Sequence, residues 1–239
     1  MDGVIDMEQA RAIVGNAVLW PRVRDFLWDF AGQVHPSWLA DLEKPEPLAR
    51  SEGRTDFLHL DSPRVKRFVL ESLEVAPCFH AFPKNDGSRL LLLDVATLES
   101  IARWLGALAC AGELRRITGG AAVRALKAAL PGIYPEVFGY VAYFSGLDSR
   151  RGGAEVPRLE DKIVQTGCES LSVALSALPA ALVSRLKFKF AKDSVFASLV
   201  PSGAEEGRET SDARREKVRA HVFKLLKLKF PEAYSLCCS

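Results

Sequence analysis

The sequence predicts an all-α fold, or a mainly α fold with one minor β-hairpin, and three observations carry that expectation. Apolar residues recur at spacings of three and four from Ser62 to Phe230, the period of an amphipathic helix. Proline, glycine and Ser/Asp cap residues punctuate those runs where helices would begin and end. Hydrophobic residues fill 48% of 239 positions, enough for one sizeable core, so residues 1–239 read as a compact, bundle-like single domain.

The elements follow in order. Residues 7–18 and 21–30 read as short amphipathic helices. His35-Pro36-Ser37-Trp38-Leu39 then breaks the chain: Pro36 disfavours the α region for His35, and Ser37 can cap a short apolar turn starting at Trp38. Trp38 either packs inward or faces a partner. The Pro- and Glu-rich stretch 41–56 reads as an exposed loop, and Ser62-Pro63 opens a helix carrying Val65, Phe68, Val69 and Leu73 that stops before Pro77. Residues 78–82, a turn at 85–88 and the run Leu90 to Leu93 read either as a hairpin or as a loop leading into a buried helix.

Asp94 can cap a helix presenting Leu98, Ile101, Ala102, Leu105, Leu108 and Ala109, with Trp104 flanking that face and Gly112 at its end. Gly119-Gly120 interrupts the pattern, which restarts through Val123, Leu126, Lys127 and Leu130 to Pro131, and 134–145 reads as an aromatic-rich helix buried on one side. Ala107, Ala109, Ala111, Ala121 and Ala122 let neighbouring helices approach closely. A turn or mobile loop at 148–156 leads to a helix over 158–178 with Ile163, Val164, Cys168, Leu171 and Leu175 inside. Pro179 starts another through Leu182, Leu186 and Phe190. The polar stretch 201–212 reads as a flexible linker. A last helix over 211–230 lays Val218, Val222, Leu225 and Leu226 along one stripe, and the tail 235–239 reads as loose.

Charge separates the two ends of the chain. The total is only +2, but residues 1–61 hold eleven acidic against six basic side chains, and residues 211–230 hold seven basic against two acidic, a net of −5 against +5. The basic cluster of the last helix includes Arg214, Arg215, Lys217 and Lys224, and Arg185, Lys187, Lys189 and Lys192 form a second cluster. A solvated face, an acidic protein partner, and nucleic acid or anionic lipid are the readings this allows.

Catalytic constellations weaken on inspection. Cys78-x-His80 with His59 lacks a second ligand pair for zinc, and Cys237-Cys238 sits at an expected frayed end. Gly119-Gly120 between Arg116 and Arg124 lacks a phosphate-binding fingerprint, and no nucleophile elbow or His-Glu-x-x-His is present. No catalytic residue, cofactor or metal is expected. The five cysteines have no framework spacing, and no secretory signal or apolar span opens the chain, which places the expectation in a reducing cytoplasm without membrane insertion.

The His-Pro-Ser-Trp-Leu element resembles a segment of the SctK family, the YscK/PscK-type accessory proteins of bacterial type III secretion. Leu105-Gly106-Ala107, Leu114-Arg115-Arg116-Ile117 and Val123-Arg124-Ala125-Leu126, closing near Tyr134, are similar to that family's characteristic stretch, so the resemblance covers about residues 20–145. It implies a non-enzymatic adaptor at the cytoplasmic base of the injectisome. Such an adaptor connects the inner-membrane ring component SctD to pods of SctQ, and through them to SctL and the SctN ATPase. Candidate partner-binding residues are His35, Pro36, Trp38, Leu39, Arg115, Arg116, Arg214, Arg215, Lys217 and Lys224. The alternative is a small helical nucleic-acid or nucleotide-binding regulator using Arg115, Arg116, Arg124 and the terminal basic helix.

Overall fold

The computed structural model describes residues 11, 13–40, 42, 62–75, 82–83, 87–147, 156–199 and 212–238. Among these residues every regular element is helical and no strand occurs, as the apolar periodicity requires. The helices are α1 (Leu19–Leu27), α2 (Pro36–Leu39), α3 (Pro63–Ser72), α4 (Val95–Ala109), α5 (Ala111–Leu114), α6 (Gly120–Ala129), α7 (Val137–Tyr140), α8 (Val156–Leu175), α9 (Ala180–Lys189), α10 (Asp212–Lys229) and α11 (Pro231–Cys238). Four 3₁₀ segments, Phe30–Gln33, Ser88–Leu92, Val141–Tyr143 and Val195–Leu199, join them.

The central pair is α4 and α8. Asp94 caps α4 as expected: its carboxylate accepts from the Thr97 amide and from the Thr97 hydroxyl, each at 2.8 Å. One face of α4 buries Leu98, Ile101, Ala102, Leu105 and Leu108, and Trp104 is buried as well. Against it α8 buries Ile163, Cys168, Leu171, Ala174 and Leu175. Two mid-helix glycines let the backbones touch. A β-carbon at Gly106 would land on the Ile163 carbonyl, and one at Gly167 would land on the Ala102 carbonyl. The two pairs run in opposite directions along the helices, so the crossing is antiparallel and reciprocal, and each glycine accepts the loss of helix propensity for close approach.

The remaining elements dress this pair. Along α8 pack α10, α6 and the Val195–Leu199 segment, while α10 also meets α4 and carries α11. A second group gathers α1, α3 and α9 around the Phe30–Gln33 segment, and α1, α9 and α11 also meet Ser88–Leu92. Among the described residues nearly all the buried hydrophobic side chains form one cluster running from Ile13 to Cys237.

Several expectations need correcting. Leu90 to Leu93 is not a strand: Gly87 in the left-handed region (φ 92°) starts a 3₁₀ segment whose five residues are all buried, so the run has no solvent face to alternate with. The other part of the expected hairpin, 78–81, lies outside the described residues. The expected 134–145 helix is divided, because residues 131–136 are turns and only Val137–Tyr140 is α-helical before the 3₁₀ step. The tail is not loose through Cys238: Pro231 starts α11, which buries Leu236 and Cys237. Val156, placed in a loop by sequence, is the first residue of α8, and Asp212, where the expected linker and the expected last helix overlap, is the first residue of α10. The rest of the 148–156 and 201–212 stretches, and all of 41–56 but Leu42, lie outside the described residues.

The glycine crossing yields a paired expectation. Gly106→Ala or Gly167→Ala forces α4 and α8 apart and lowers the unfolding free energy by about 2–3 kcal/mol. Gly112→Ala, whose β-carbon meets nothing within 4 Å, is neutral or raises stability by up to about 1 kcal/mol. Urea titration of the three variants separates the cases.

Candidate functional site

The His35–Leu39 segment is a clamp that crosses the fold. The His35 backbone N–H donates to the Phe188 carbonyl at 2.8 Å, and the Trp38 indole N–H donates to the Phe190 carbonyl at 2.8 Å. These carbonyls belong to the C-terminal end of α9, where a helix leaves acceptors without intrahelical donors. The Ser37 hydroxyl accepts from the Lys192 amide at 2.9 Å and lies 2.8 Å from His35 Nδ1. His35, not Ser37, caps α2: its Nδ1 accepts from the Ser37 amide at 3.2 Å, because Pro36 occupies the first helical position and the cap therefore falls one residue earlier. An Nδ1 that accepts places the ring proton on Nε2.

Trp38 thus turns inward. Its ring meets Phe188 edge-on at 5.0 Å, and the Lys187 and Lys192 ammonium groups lie 5.0 and 5.7 Å from its centroid. Leu39 is buried, Pro36 is exposed, and His35 is half-buried.

The second basic cluster, Arg185, Lys187, Lys189 and Lys192, is divided by the structure. Arg185 and Lys189 are buried, at 2% and 6% exposure, on the same stripe of α9 as Leu182 and Leu186. Arg185 Nη1 donates to the Phe26 and Leu27 carbonyls at 2.6 and 3.0 Å, closing the C-terminal end of α1, and its guanidinium lies against the Phe26 and Phe30 rings. Lys189 Nζ donates to the Leu91 and Leu93 carbonyls at 2.7 and 3.1 Å. A third buried cation, Arg89, donates to the Phe82 and Leu236 carbonyls at 2.9 and 3.3 Å. Sequence reasoning read the apolar positions Leu182, Leu186 and Phe190 and the basic cluster separately. The available signal was the spacing 182, 185, 186, 189, which puts both cations inside the apolar stripe.

Burial pushes the Lys189 amine down to about 8, with Arg22 acting in the same direction and Asp94 opposing.

The other candidates lie on the outside. Arg115 and Arg116 are exposed at the end of α5, with Arg115 over the Phe138 ring. On α10, Arg215 pairs with Asp212 and Arg219 with Glu216, so both acidic side chains of the helix are paired within it. Arg214, Lys217 and Lys224 are exposed on one stripe with His221 between the lysines. Lys224 donates to the Tyr143 carbonyl at 3.1 Å and lies over the half-exposed Tyr143 ring. His221 packs on Phe144, and burial, Lys217 and Lys224 hold its pKa below the ordinary value while the Ser145 backbone opposes. The structure therefore separates the candidates: the His35–Leu39 clamp grips α9, and the α10 cations face the Tyr143–Leu147 turn.

Among the described residues no three His, Cys, Asp or Glu side chains are grouped as metal ligands, and no helix is long and apolar enough to cross a membrane. Cys78, His80 and His59 lie outside the described residues. Cys168 is buried, and desolvation together with Glu169 and Glu99 raises its thiol to about 12, which leaves little thiolate at neutral pH. No family model, curated protein or solved structure matches this chain.

Two expectations follow. Trp38→Ala removes packing and the bond to the Phe190 carbonyl and costs about 2–4 kcal/mol in chemical denaturation, whereas Trp38→Phe, which keeps a ring but loses the donor, costs about 1 kcal/mol. For Lys189 the sign follows from a folded pKa below the unfolded one: between pH 8 and 10.5 the unfolded chain binds more protons, so stability rises with pH. The stability difference between wild type and Lys189→Met therefore grows in favour of wild type by on the order of 3 kcal/mol across that window, read from urea midpoints at each pH.

Proposed function

We propose that this chain is an SctK-like, non-enzymatic adaptor of a bacterial type III secretion sorting platform. It works in the cytoplasm at the injectisome base and bridges the cytoplasmic domain of SctD to SctQ pods, and through them to SctL and the SctN ATPase. One observation carries the reading: several of the residues behind the resemblance are ones on which the fold depends. His35, Ser37 and Trp38 grip the end of α9, and Gly106 occupies the helix crossing. A likeness at such positions concerns architecture, which a scaffold needs, rather than a transferable reactive group.

The charge distribution supports the same reading. A bridge addresses two partners through different surfaces, and opposite local potentials orient encounter and reject wrong registers more than they add affinity. The exposed cations of α10 supply one such surface.

The test uses the purified full chain with the SctD cytoplasmic domain and with SctQ, each assayed separately by co-purification from a type III secretion background. Both are retained on the bait, and Arg214→Glu combined with Lys217→Glu weakens one while sparing the other at unchanged melting temperature. Retention of neither partner overturns the proposal. Binding to nonspecific duplex DNA with a steep loss between low and physiological salt replaces it with the nucleic-acid reading.

A further inference from the structure

The stretch from Ala111 to Leu147 carries four basic side chains, Arg115, Arg116, Arg124 and Lys127, and two acidic ones, Glu113 and Glu136. Both carboxylates are taken by cations of other helices: Glu113 accepts from Lys162 of α8 at 2.6 Å, and Glu136 pairs with Lys229 of α10. All four cations of the stretch are exposed, and among the described residues none of them is in an ion pair. Four positive charges are therefore presented where both negative ones are already answered.

These cations gather at the corner between α5 and α6. Residues 115–119 link the two helices, and Arg115 and Arg116 belong to that link. Even fully extended, the chain from Arg116 to Gly120 spans at most about 14 Å. Arg124 leans back toward it, since a β-carbon on Gly120 would lie 3.7 Å from the Arg124 Nη1. Lys127 follows one helical turn later. Arg115 is held in place: its guanidinium carbon lies 5.7 Å from the Phe138 ring centroid, and Tyr134 meets that ring edge-on at 5.4 Å. A stacked guanidinium has given up rotamer freedom before a ligand arrives, and its planar fork of N–H donors matches a carboxylate bidentately.

We propose that this corner docks a short, extended, Asp/Glu-rich segment of a protein partner, its carboxylates on Arg115, Arg116, Arg124 and Lys127. Duplex DNA is held through many phosphates at once, and four cations on a chain of total charge +2 supply few such contacts. An anionic bilayer recruits a cationic helix that also inserts large apolar side chains, whereas the exposed residues of α6 besides its cations are Gly120, Ala121, Ala125 and Ala128. A carboxylate segment needs only a few well-directed donors. From Arg116 to Lys127 the path is at most about 25 Å, the reach of about eight extended residues.

This inference rests on the adaptor reading for the role of its partner and deepens it by giving the bridge a partner-facing surface on α5 and α6. Its test needs no secretion component. A fluorescein-labelled peptide of about eight residues, alternating glutamate and aspartate, is titrated with the full chain and followed by anisotropy. The peptide binds, and binding weakens from low to physiological ionic strength. Arg116→Glu and Arg124→Glu each lower affinity about tenfold. Phe138→Leu, which changes no charge but releases Arg115, lowers it about threefold, and Arg115→Lys, which keeps the charge and loses the planar fork, does the same. Arg64→Glu, the same charge reversal at an exposed site of α3, leaves affinity unchanged. Circular dichroism and melting establish that each variant is folded.

Equal loss with Arg64→Glu overturns the proposal, because the peptide then reads the overall field. So does wild-type affinity in a folded Arg124→Glu, or in both Phe138→Leu and Arg115→Lys. Tighter binding of duplex DNA or of phosphatidylserine vesicles with the same variant pattern assigns the corner to those partners instead. Concentration-dependent dimerisation abolished by Arg124→Glu assigns it to a second copy of this chain. If the peptide binds with the expected pattern while SctD and SctQ are not retained, the corner stands and the secretion assignment falls; retention of both without peptide binding overturns the corner alone.

Discussion

The contact of two helix backbones at Gly106 and Gly167 sets the geometry of everything else. Side chains normally keep helix axes 8–10 Å apart, and the axes come closer only where the β-carbons are missing. Here each glycine lies under a carbonyl of the opposite helix. That approach fixes the crossing point and the rotation of both helices, because only one face of each presents its glycine. Once α8 is fixed in rotation, so are its three remaining faces, which receive α10, α6 and the Val195–Leu199 segment.

The second layer is held by a different device. Arg185, Lys189 and Arg89 are buried, and each donates to backbone carbonyls. A buried charge costs several kcal/mol in lost hydration, and carbonyl oxygens offset it, most of all those at a helix end such as Phe26 and Leu27 of α1. The arrangement is reciprocal between α9 and the N-terminal segment. Arg185 of α9 closes the end of α1, and His35 and Trp38, which follow α1, close the end of α9. Elements about 150 residues apart in sequence thereby satisfy each other's orphaned acceptors.

How far the sequence revealed this depends on whether the signal was local. The Asp94 cap, the Pro63 and Pro179 starts and the stripe Val218, Val222, Leu225, Leu226 are set within a few residues, and all were legible. The buried run Leu90 to Leu92 was ambiguous because a segment enclosed on all sides shows neither period. Gly106 was noticed only as part of a resemblance, since its meaning lies in a partner 57 or more positions away. The tail was misjudged on the rule that termini fray, whereas Leu236 and Cys237 supply the apolar anchor that holds α11 down. Of the candidate site residues, the His35–Leu39 group was recognised but its direction was not, because an indole with a good acceptor inside the fold is indistinguishable in sequence from one awaiting a partner.

Formal charge is a poor guide to what a partner meets, and this chain shows why. Of the seven cations over 211–230, Arg215, Arg219 and Lys229 are paired to Asp212, Glu216 and Glu136. In α9 two cations are consumed inside the core. What the surface presents differs from that count and is localised: Arg214, Lys217 and Lys224 share one stripe of α10, and the first two line a groove beside Lys162, Gln165 and Glu169 of α8. A chain with a total of +2 therefore carries a localised cationic edge along α10. Specificity at a surface comes from matched shape and local potential, and neither depends on the overall sum.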